Sequence, residues 1–291
     1  MKWLCPKCRT RYEHFRGECE NDETALVEDR TGDSIGGCLL SSLLGVGHDR
    51  STVWEARRTV DALDVAVKVC PVDDLEQRET FQKAVRDAAA LRHHAIVPIH
   101  GHGVTEDGQV YVIMELLEGL SLAEQLARGG PPMPPERAVP IVAEVLEALA
   151  FAHEAEVLHG DLKPSNIFVG AADGAGHEPV RLLDVGISRP EPPDPPTALG
   201  IDRSAADDEV PEALYYTPPE RLVTGQGGPE ADIYGAGVLL FHLLTGRPPF
   251  TGRRADVKRG HLSRKPPRLA DVVPELAEEV ELQKILDRFL E

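Results

Sequence analysis

One polar stretch constrains the fold of this 291-residue chain more than any other. Residues 159–166 read HGDLKPSN, and apolar residues lie on both sides of them. They place an acid at Asp161, a base two residues later at Lys163 and an amide three residues further at Asn166. Such a polar interruption of apolar sequence predicts a short loop between a helix and a strand. A second apolar run ends in Asp184, which predicts a strand that stops at an acid.

These four side chains are of the types that phosphoryl transfer requires. An acid accepts the proton of the attacking hydroxyl, and a cation neutralises the charge on the transferred phosphoryl group. An asparagine and an aspartate bind Mg²⁺ through their side-chain oxygens. The sequence therefore indicates phosphoryl transfer from a nucleotide as the first functional hypothesis.

The rest of the sequence predicts both strands and helices. Short and nearly continuous apolar runs are typical of buried strands, whereas apolar residues three and four positions apart are typical of helices. Val139, Val142 and Leu149, for example, are expected on one buried face of a helix. The expected strands are residues 63–70 and 110–115, and the expected helices are residues 75–91, 136–154, 232–244 and 275–290.

Further motifs accompany the polar stretch along the chain. They are a glycine-rich start at 44–47 (LGVG), a strand with a lysine at 65–68 (VAVK), a hinge-like segment at 114–119 (MELLEG) and a proline pair with an acid at 218–220 (PPE). Together with residues 159–166 and Asp184, these motifs resemble the eukaryotic-like serine/threonine protein kinases of bacteria. The resemblance extends over residues 39–291.

The resemblance implies an α+β fold of the bilobal protein-kinase-like type, with a small β-rich N-lobe and a larger α-helical C-lobe. The expected N-lobe spans residues 39–115 and the expected C-lobe spans residues 116–291. A zinc-ribbon-like segment at residues 1–30 and a linker at residues 31–38 are expected before them. The C-lobe is expected to be truncated, because no counterpart of the family's last helix is found in the sequence.

By the same resemblance, the chain transfers the γ-phosphate of ATP to serine or threonine hydroxyls of a protein substrate. Asp161 is implied as the base and Lys163 as the cation that stabilises the transition state. Asn166 and Asp184 are implied to hold Mg²⁺, and Lys68 to position the α- and β-phosphates. The other residues implied to bind the nucleotide are Leu44, Gly45, Gly47, Val53, Ala66, Met114, Leu116 and Phe168.

Several positions depart from the family pattern. Ala84 stands where Lys68 should find its acidic partner, Ser51 replaces the third glycine of the loop, and Ala213 replaces a threonine that contacts the catalytic acid. One lost hydrogen bond to a charged group costs about 1.5–3 kcal/mol, or about 10- to 150-fold in rate. Because the reacting groups are retained, we expect a slow kinase. The alternative is a pseudokinase that senses ATP or binds a partner.

The amino-terminal cysteines suggest a metal site. Cys5 and Cys8 have the spacing of a zinc knuckle, and Cys19 follows eleven residues later. Asp22 stands where a second knuckle would have its other cysteine, so that Asp22 oxygen or His14 nitrogen is the expected fourth ligand. The alternative is a relic ribbon with free thiols.

Charge and hydropathy restrict the partners. The net charge of −18 disfavours binding to nucleic acid or to anionic lipid. No apolar run is long enough to predict a membrane segment, and the amino terminus lacks the apolar core of a signal peptide. A cytoplasmic location is therefore expected. Much of the negative charge lies in residues 190–212, and together with Gly160 it predicts that phosphorylation of this segment is not the activating switch.

Overall fold

The structure, a computed structural model, describes residues 2–47, 49–72, 74–129, 132–174, 176–187 and 210–291. Most of the acidic segment, and with it the prediction about its phosphorylation, lies outside these residues. The chain forms two compact units. The first unit consists of Met1–Ala90 and Pro98–Leu117, and the second of Leu91–Val97 and Glu118–Glu291.

The first unit begins with a small three-stranded sheet. Its strands are β1 (Trp3–Leu4), β2 (Arg11–Tyr12) and β3 (Val27–Glu28), in the order β2-β1-β3. Cys5, Cys19 and Leu26 form its core. Leu4 packs instead into the core of the larger sheet that follows, and buried Arg30 forms an ion pair with Asp107 at 2.6 Å. The amino-terminal segment is therefore packed and ion-paired onto the rest of the unit.

The larger sheet of the first unit is antiparallel and has six strands within the described residues, in the order β4-β5-β6-β7-β9-β8. They are β4 (Ser34–Ile35), β5 (Cys38–Val46), β6 (Thr52–Arg58), β7 (Asp64–Cys70), β8 (Ile99–Val104) and β9 (Val110–Glu115). The two strands expected at 63–70 and 110–115 are confirmed. Residues Val65–Cys70 are all buried, which explains why β7 is an apolar run rather than an alternating pattern.

Helix α1 (Leu75–Ala89) follows β7. The Asp74 carboxylate caps it by accepting a hydrogen bond from the Gln77 amide at 2.8 Å. Phe81, Val85 and Ala88, spaced three and four residues apart, form its buried face. The helix ends two residues before the expected limit.

The second unit is mainly helical and contains one short hairpin. Its helices are α2 (Leu122–Ala127), α3 (Pro135–Glu154), α4 (Pro219–Thr224), α5 (Pro229–Thr245), α6 (Arg254–Ser263), α7 (Leu269–Val272) and α8 (Val280–Phe289). Strands β10 (Ile167–Val169) and β11 (Val180–Leu182) pair antiparallel. None of the described helices is both long and apolar enough to cross a membrane.

Helix α5 forms the centre of the second unit. Nearly all its residues are buried, as the almost uniformly apolar sequence predicts. A Cβ atom at Gly237 would lie 2.6 Å from Phe289 Cβ, so this glycine lets α8 approach α5 closely. Its one buried carboxylate, Asp232, is 3% exposed and requires polar partners.

Two helix expectations need correction. Val142 and Leu149 of α3 are buried as expected, but Val139 is 41% exposed, since Ala138 and Ile141 define the face that enters the core. The single helix expected at 275–290 is divided. A 3₁₀ turn at Pro274–Leu276 precedes α8, which starts only at Val280 because Glu279 has a non-helical backbone.

Candidate active site and metal cluster

The polar stretch forms the loop between α3 and β10, and α5 holds it in place. The Asp232 carboxylate accepts hydrogen bonds from the backbone amides of His159 at 2.8 Å and Gly160 at 2.9 Å. It also lies 2.9 Å from Nε2 of His153. These donors satisfy a carboxylate that would otherwise be buried at high cost. Burial lowers the pKa of His159, which keeps this imidazole neutral.

The loop brings the side chains of Asp161 and Lys163 together. Lys163 has an extended backbone, and side chains two residues apart point to the same side of an extended chain. Its Nζ atom accordingly lies 2.5 Å from Oδ2 of Asp161. The Asn166 amide nitrogen donates to the Asp161 backbone oxygen at 2.8 Å, which closes the loop on itself. Both charged side chains remain partly exposed.

Asn166 and Asp184 lie at the same end of the hairpin formed by β10 and β11. Ile167 pairs with Leu182, and the Leu183 amide donates to the Asn166 oxygen at 2.9 Å. Asn166 directly precedes β10 and Asp184 follows β11, so that both residues lie at the same end of the hairpin. Asp184 has a left-handed backbone, with φ of 60°, which is uncommon outside glycine and clusters at functional sites. Amide and carboxylate oxygens are ligands that Mg²⁺ prefers. The donor types present at this end of the hairpin therefore fit Mg²⁺.

The first unit carries most residues expected to bind a nucleotide. Strand register places Val53 opposite both Gly45 and Lys68. It also places Ala66 opposite Met114. The remaining expected residues are Leu44, which is 45% exposed, Leu116, which is partly buried, and Phe168, which lies on β10 of the second unit.

The glycine-rich segment closes in a tight turn between β5 and β6. The Gly47 amide donates to the Ser51 oxygen at 2.8 Å. Ser51 is buried, and its hydroxyl donates to the Asp49 carboxylate at 2.5 Å. A Cβ atom at Gly47 would lie 2.6 Å from an oxygen of each of these side chains, so a larger residue here would displace them. The serine that replaces the family's third glycine thus holds Asp49 within the turn.

Helix α1 carries no acid at position 84, and the nearest substitute is engaged elsewhere. Lys68 is 7% exposed, and a buried ammonium group requires polar partners. Asp87, one turn beyond Ala84, lies on the exposed face and pairs with Lys83 at 2.8 Å. Asp87 therefore does not replace the acid that the family pattern places at position 84.

We expect the substitution Ala84→Glu to raise kcat/KM for ATP about 10- to 150-fold. The glutamate would supply the particular hydrogen bond to Lys68 that the family pattern places at position 84, worth about 1.5–3 kcal/mol. Initial rates of labelled phosphate transfer at several ATP concentrations measure the effect. Ala84→Gln has the same shape without the charge and should gain much less. A folded Ala84→Glu protein no faster than the wild type would contradict the expectation that the missing acid slows transfer.

The structure gathers Cys5, Cys8, Cys19 and Asp22 into one cluster. One ligand atom from each of them lies within 4.8 Å of the others. The Cys8 and Cys19 sulfurs are 3.4 Å apart, and Asp22 Oδ1 is 3.4 Å from the Cys5 sulfur. Ligands about 2.3 Å from a tetrahedral zinc would be roughly 3.8 Å apart. His14, the other expected ligand, is not part of this cluster.

Two matching turns present these ligands. In the first, the Cys5 amide donates to the Thr10 oxygen at 2.9 Å, and in the second the Cys19 amide donates to the Thr24 oxygen at 2.8 Å. Arg9 and Glu23, each four residues after the first ligand of its turn, both have left-handed backbones. Asp22 therefore occupies in the second turn the place that Cys8 occupies in the first.

The pKa values within the cluster are shifted in opposite directions. Burial raises the pKa of Cys5 to about 11. A hydrogen bond with Thr10 lowers the pKa of Cys8 to about 7. Burial raises the pKa of Asp22, but hydrogen bonds from Thr24 outweigh that effect and hold it well below its usual range. A mixed set of thiolate and carboxylate groups at this spacing suits a divalent cation such as Zn²⁺.

Sequence reasoning missed two charged side chains that touch the catalytic loop. Arg221 donates to the Gly160 oxygen, and the Glu212 carboxylate accepts a hydrogen bond from the Ser165 amide at 3.3 Å. Arg221 directly follows the motif at 218–220, and Glu212 precedes Ala213. Nothing in the local sequence around either residue indicates these contacts, because the partners are 61 and 47 residues away.

A β-rich unit with a buried lysine and a helical unit with the Asp161 loop and the Asp184 hairpin together define the bilobal protein-kinase class. Comparison with family models agrees, since residues 40–288 match the protein kinase domain. The chain belongs to the protein kinase domain family.

The chain is similar to proteins named as serine/threonine kinases of bacteria. The chain is 37% identical over 251 residues to serine/threonine-protein kinase PknE of Mycobacterium bovis. The aligned residues cover 85% of this chain and 42% of PknE. The chain is 31% identical over 239 residues to PrkC of Bacillus subtilis, covering 81% of this chain and 35% of PrkC. The chain thus spans less than half the length of these relatives.

A solved structure has the same fold. The crystal structure of the Mycobacterium tuberculosis PknI kinase domain matches with a TM-score of 0.67 and 26% sequence identity, over 90% of each chain. The expected α+β bilobal kinase fold is confirmed. In this chain the first unit is the β-rich lobe and the second unit is the helical lobe.

Proposed function

We propose that this chain is a serine/threonine protein kinase that transfers the γ-phosphate of ATP to a hydroxyl of a protein substrate. The observation that carries the proposal is the Asp161 loop, in which an acid, a lysine and an asparagine are held together by the 2.5 Å and 2.8 Å contacts described above. The relatives named as serine/threonine kinases support the same substrate class.

The proposed roles follow from the chemistry of each group. Asp161 accepts the proton of the substrate hydroxyl, and Lys163 stabilises the charge that develops on the transferred phosphoryl group. Lys68 positions the nucleotide phosphates. Asn166 and Asp184 hold Mg²⁺, which when bound neutralises phosphate charge. The apolar side chains of Leu44, Val53, Ala66 and Leu116 in the first unit contact the adenine.

A transfer assay tests the proposal. Labelled ATP and Mg²⁺ are incubated with the chain and a general acceptor protein, and phosphoserine and phosphothreonine are identified in the product. Transfer by the wild type that is lost in Asp161→Asn supports the kinase. Stabilisation against heat by ATP, without transfer by the wild type, would instead indicate the pseudokinase that Ala84 and Ala213 suggest.

We further propose that Cys5, Cys8, Cys19 and Asp22 bind one Zn²⁺ ion. The two matching turns support a closed four-ligand site, and backbone amides donate to the sulfurs of Cys5 and Cys19 at 3.4 Å. Such outer hydrogen bonds orient metal ligands. A site of this kind serves stability rather than catalysis, because all four positions are taken by the protein.

Removal of one ligand should remove the metal. We expect about one zinc per wild-type chain, as measured by elemental analysis after dialysis. Cys5→Ser should lose most of it and lower the melting temperature, because binding free energy at a structural site is folding free energy. Cys38→Ser, which removes a buried thiol outside the cluster, is the control and should retain zinc. A wild-type chain that binds none after addition of Zn²⁺ would support the relic ribbon.

A further inference from the structure

Helix α5 binds the catalytic loop on one side. Two further backbone groups of the loop are bound by residues outside α5. Asp232 binds the amides of His159 and Gly160, as described above. The Gly160 oxygen and the Ser165 amide are not bound by α5. They lie one residue before Asp161 and four residues after it, so whatever binds them restrains the segment that carries the catalytic acid.

Both groups are bound by charged side chains of the segment at 212–221. Arg221 Nη1 donates to the Gly160 oxygen, and Glu212 Oε1 accepts from the Ser165 amide at 3.3 Å. Both side chains are half-buried. Hydrogen bonds to charged groups are roughly twice as strong as neutral ones. The two contacts thus bracket Asp161 with stronger bonds than a backbone pair would provide.

The structure makes room for the arginine. A Cβ atom at Gly227 would lie 2.9 Å from Cγ and 3.1 Å from Cδ of Arg221, so the aliphatic part of the side chain lies directly over this glycine. Gly160 itself has a left-handed backbone with φ of 77°. Most other residues would be strained in this conformation, which sets the direction of the Gly160 oxygen. A glycine at each end therefore permits the contact.

The segment that carries the two side chains is itself well anchored. The buried Tyr216 hydroxyl lies 2.6 Å from Nδ1 of His242 on α5. The Thr217 hydroxyl donates to the Ala213 oxygen at 2.8 Å, which stiffens the turn that contains Glu212. A fixed segment loses little further entropy when its side chains bind the loop.

We propose that Arg221 and Glu212 are positioning residues that hold the catalytic loop in its active shape. In the family pattern, a threonine hydroxyl at position 213 and a side chain at position 160 would contact this region. Ala213 and Gly160 lack these groups, and Arg221 and Glu212 act in their place. The inference rests on the proposed kinase function for its effect on rate, but the effect on loop geometry is independent of it.

Hydrogen exchange of the catalytic loop tests the positioning directly. In Arg221→Ala and Glu212→Ala, the amides of residues 159–163, 165 and 166 should exchange about 10-fold faster, the change expected when an opening costs one charged hydrogen bond less. Exchange within α5 should change less than exchange of the loop, and the melting temperature should fall by no more than a few degrees. Unchanged exchange of the loop in both variants would overturn the proposal.

Kinetics supply a second readout and conservative variants guard against misfolding. Both alanine variants should lower kcat about 10-fold and leave the KM for ATP unchanged. Glu212→Gln retains an acceptor oxygen and Arg221→Lys retains a cationic donor, so each should recover most of the rate and the protection. If an alanine variant misfolds, the conservative variant decides the question. Loop exchange at the wild-type rate in that variant supports the proposal, and loop exchange about 10-fold faster overturns it.

Arg253→Gln is the matched control, because it removes an arginine of the same unit that is 76% exposed. It should change neither the exchange of the loop nor kcat. Absence of phosphate transfer by the wild type would refute the proposed kinase function alone, since the exchange measurement would still decide whether Arg221 and Glu212 hold the loop.

Discussion

Substitution of Asp161 by asparagine should lower the rate of phosphate transfer about 10²- to 10⁴-fold, the usual contribution of a general base. The asparagine has nearly the same shape but cannot accept the hydroxyl proton. The backbone oxygen of residue 161 still accepts from Asn166, so the loop should keep its form. Initial rates of labelled-ATP transfer at saturating ATP give the effect on kcat.

The control for Asp161 is an exposed acid of the same unit. Asp271→Asn should leave the rate within a factor of two. Thermal stabilisation by ATP should be similar in wild type, control and Asp161→Asn, which would separate loss of chemistry from loss of binding. An Asp161→Asn protein that keeps half the wild-type rate would show that another group accepts the proton.

Substitution of Asp232 by alanine should lower the free energy of unfolding by about 2–6 kcal/mol, because each of two buried amides left without an acceptor costs about 1–3 kcal/mol. The change leaves the amides of His159 and Gly160 without their acceptor and removes the partner of His153. Because domains are stable by only about 5–15 kcal/mol, this is a large fraction of the total. Urea unfolding followed by circular dichroism measures it.

Two further variants define the origin of the Asp232 effect. Asp232→Asn retains one acceptor oxygen and should lose less stability than Asp232→Ala. Glu278→Ala removes an exposed acid and should change stability by less than about 0.5 kcal/mol. A loss of under about 1 kcal/mol in Asp232→Ala would mean that other groups satisfy the loop amides.

Local sequence was sufficient for the regular elements and for the core of the active loop. Asp161 and Lys163 meet because side chains two residues apart share one side of an extended chain, a property of the backbone itself. Strand β7 follows from its apolar run, and helix α1 follows from its apolar periodicity and from the Asp74 cap. These signals also act over only a few residues. The family pattern then predicted the bilobal fold that the comparisons confirm.

Interactions between distant segments could not be predicted in this way. The exposure of Val139 depends on which face of α3 enters the core. The helix expected at 275–290 is divided at Glu279, whose backbone is not helical. The sequence left both Asp22 and His14 as metal ligands, and only the second turn places Asp22 beside the thiols. Each outcome is decided by packing rather than by periodicity.

The amino-acid sequence by itself determined the chemistry that the chain carries and the elements that carry it, because residue type, spacing and backbone preference act over a few residues. The tertiary structure alone decided which side chains hold that chemistry in place. Arg221 reaches Gly160, and Glu212 reaches Ser165, only because folding brings together segments about fifty or more residues apart in the chain. Such contacts arise from packing and burial, which no short stretch of sequence specifies.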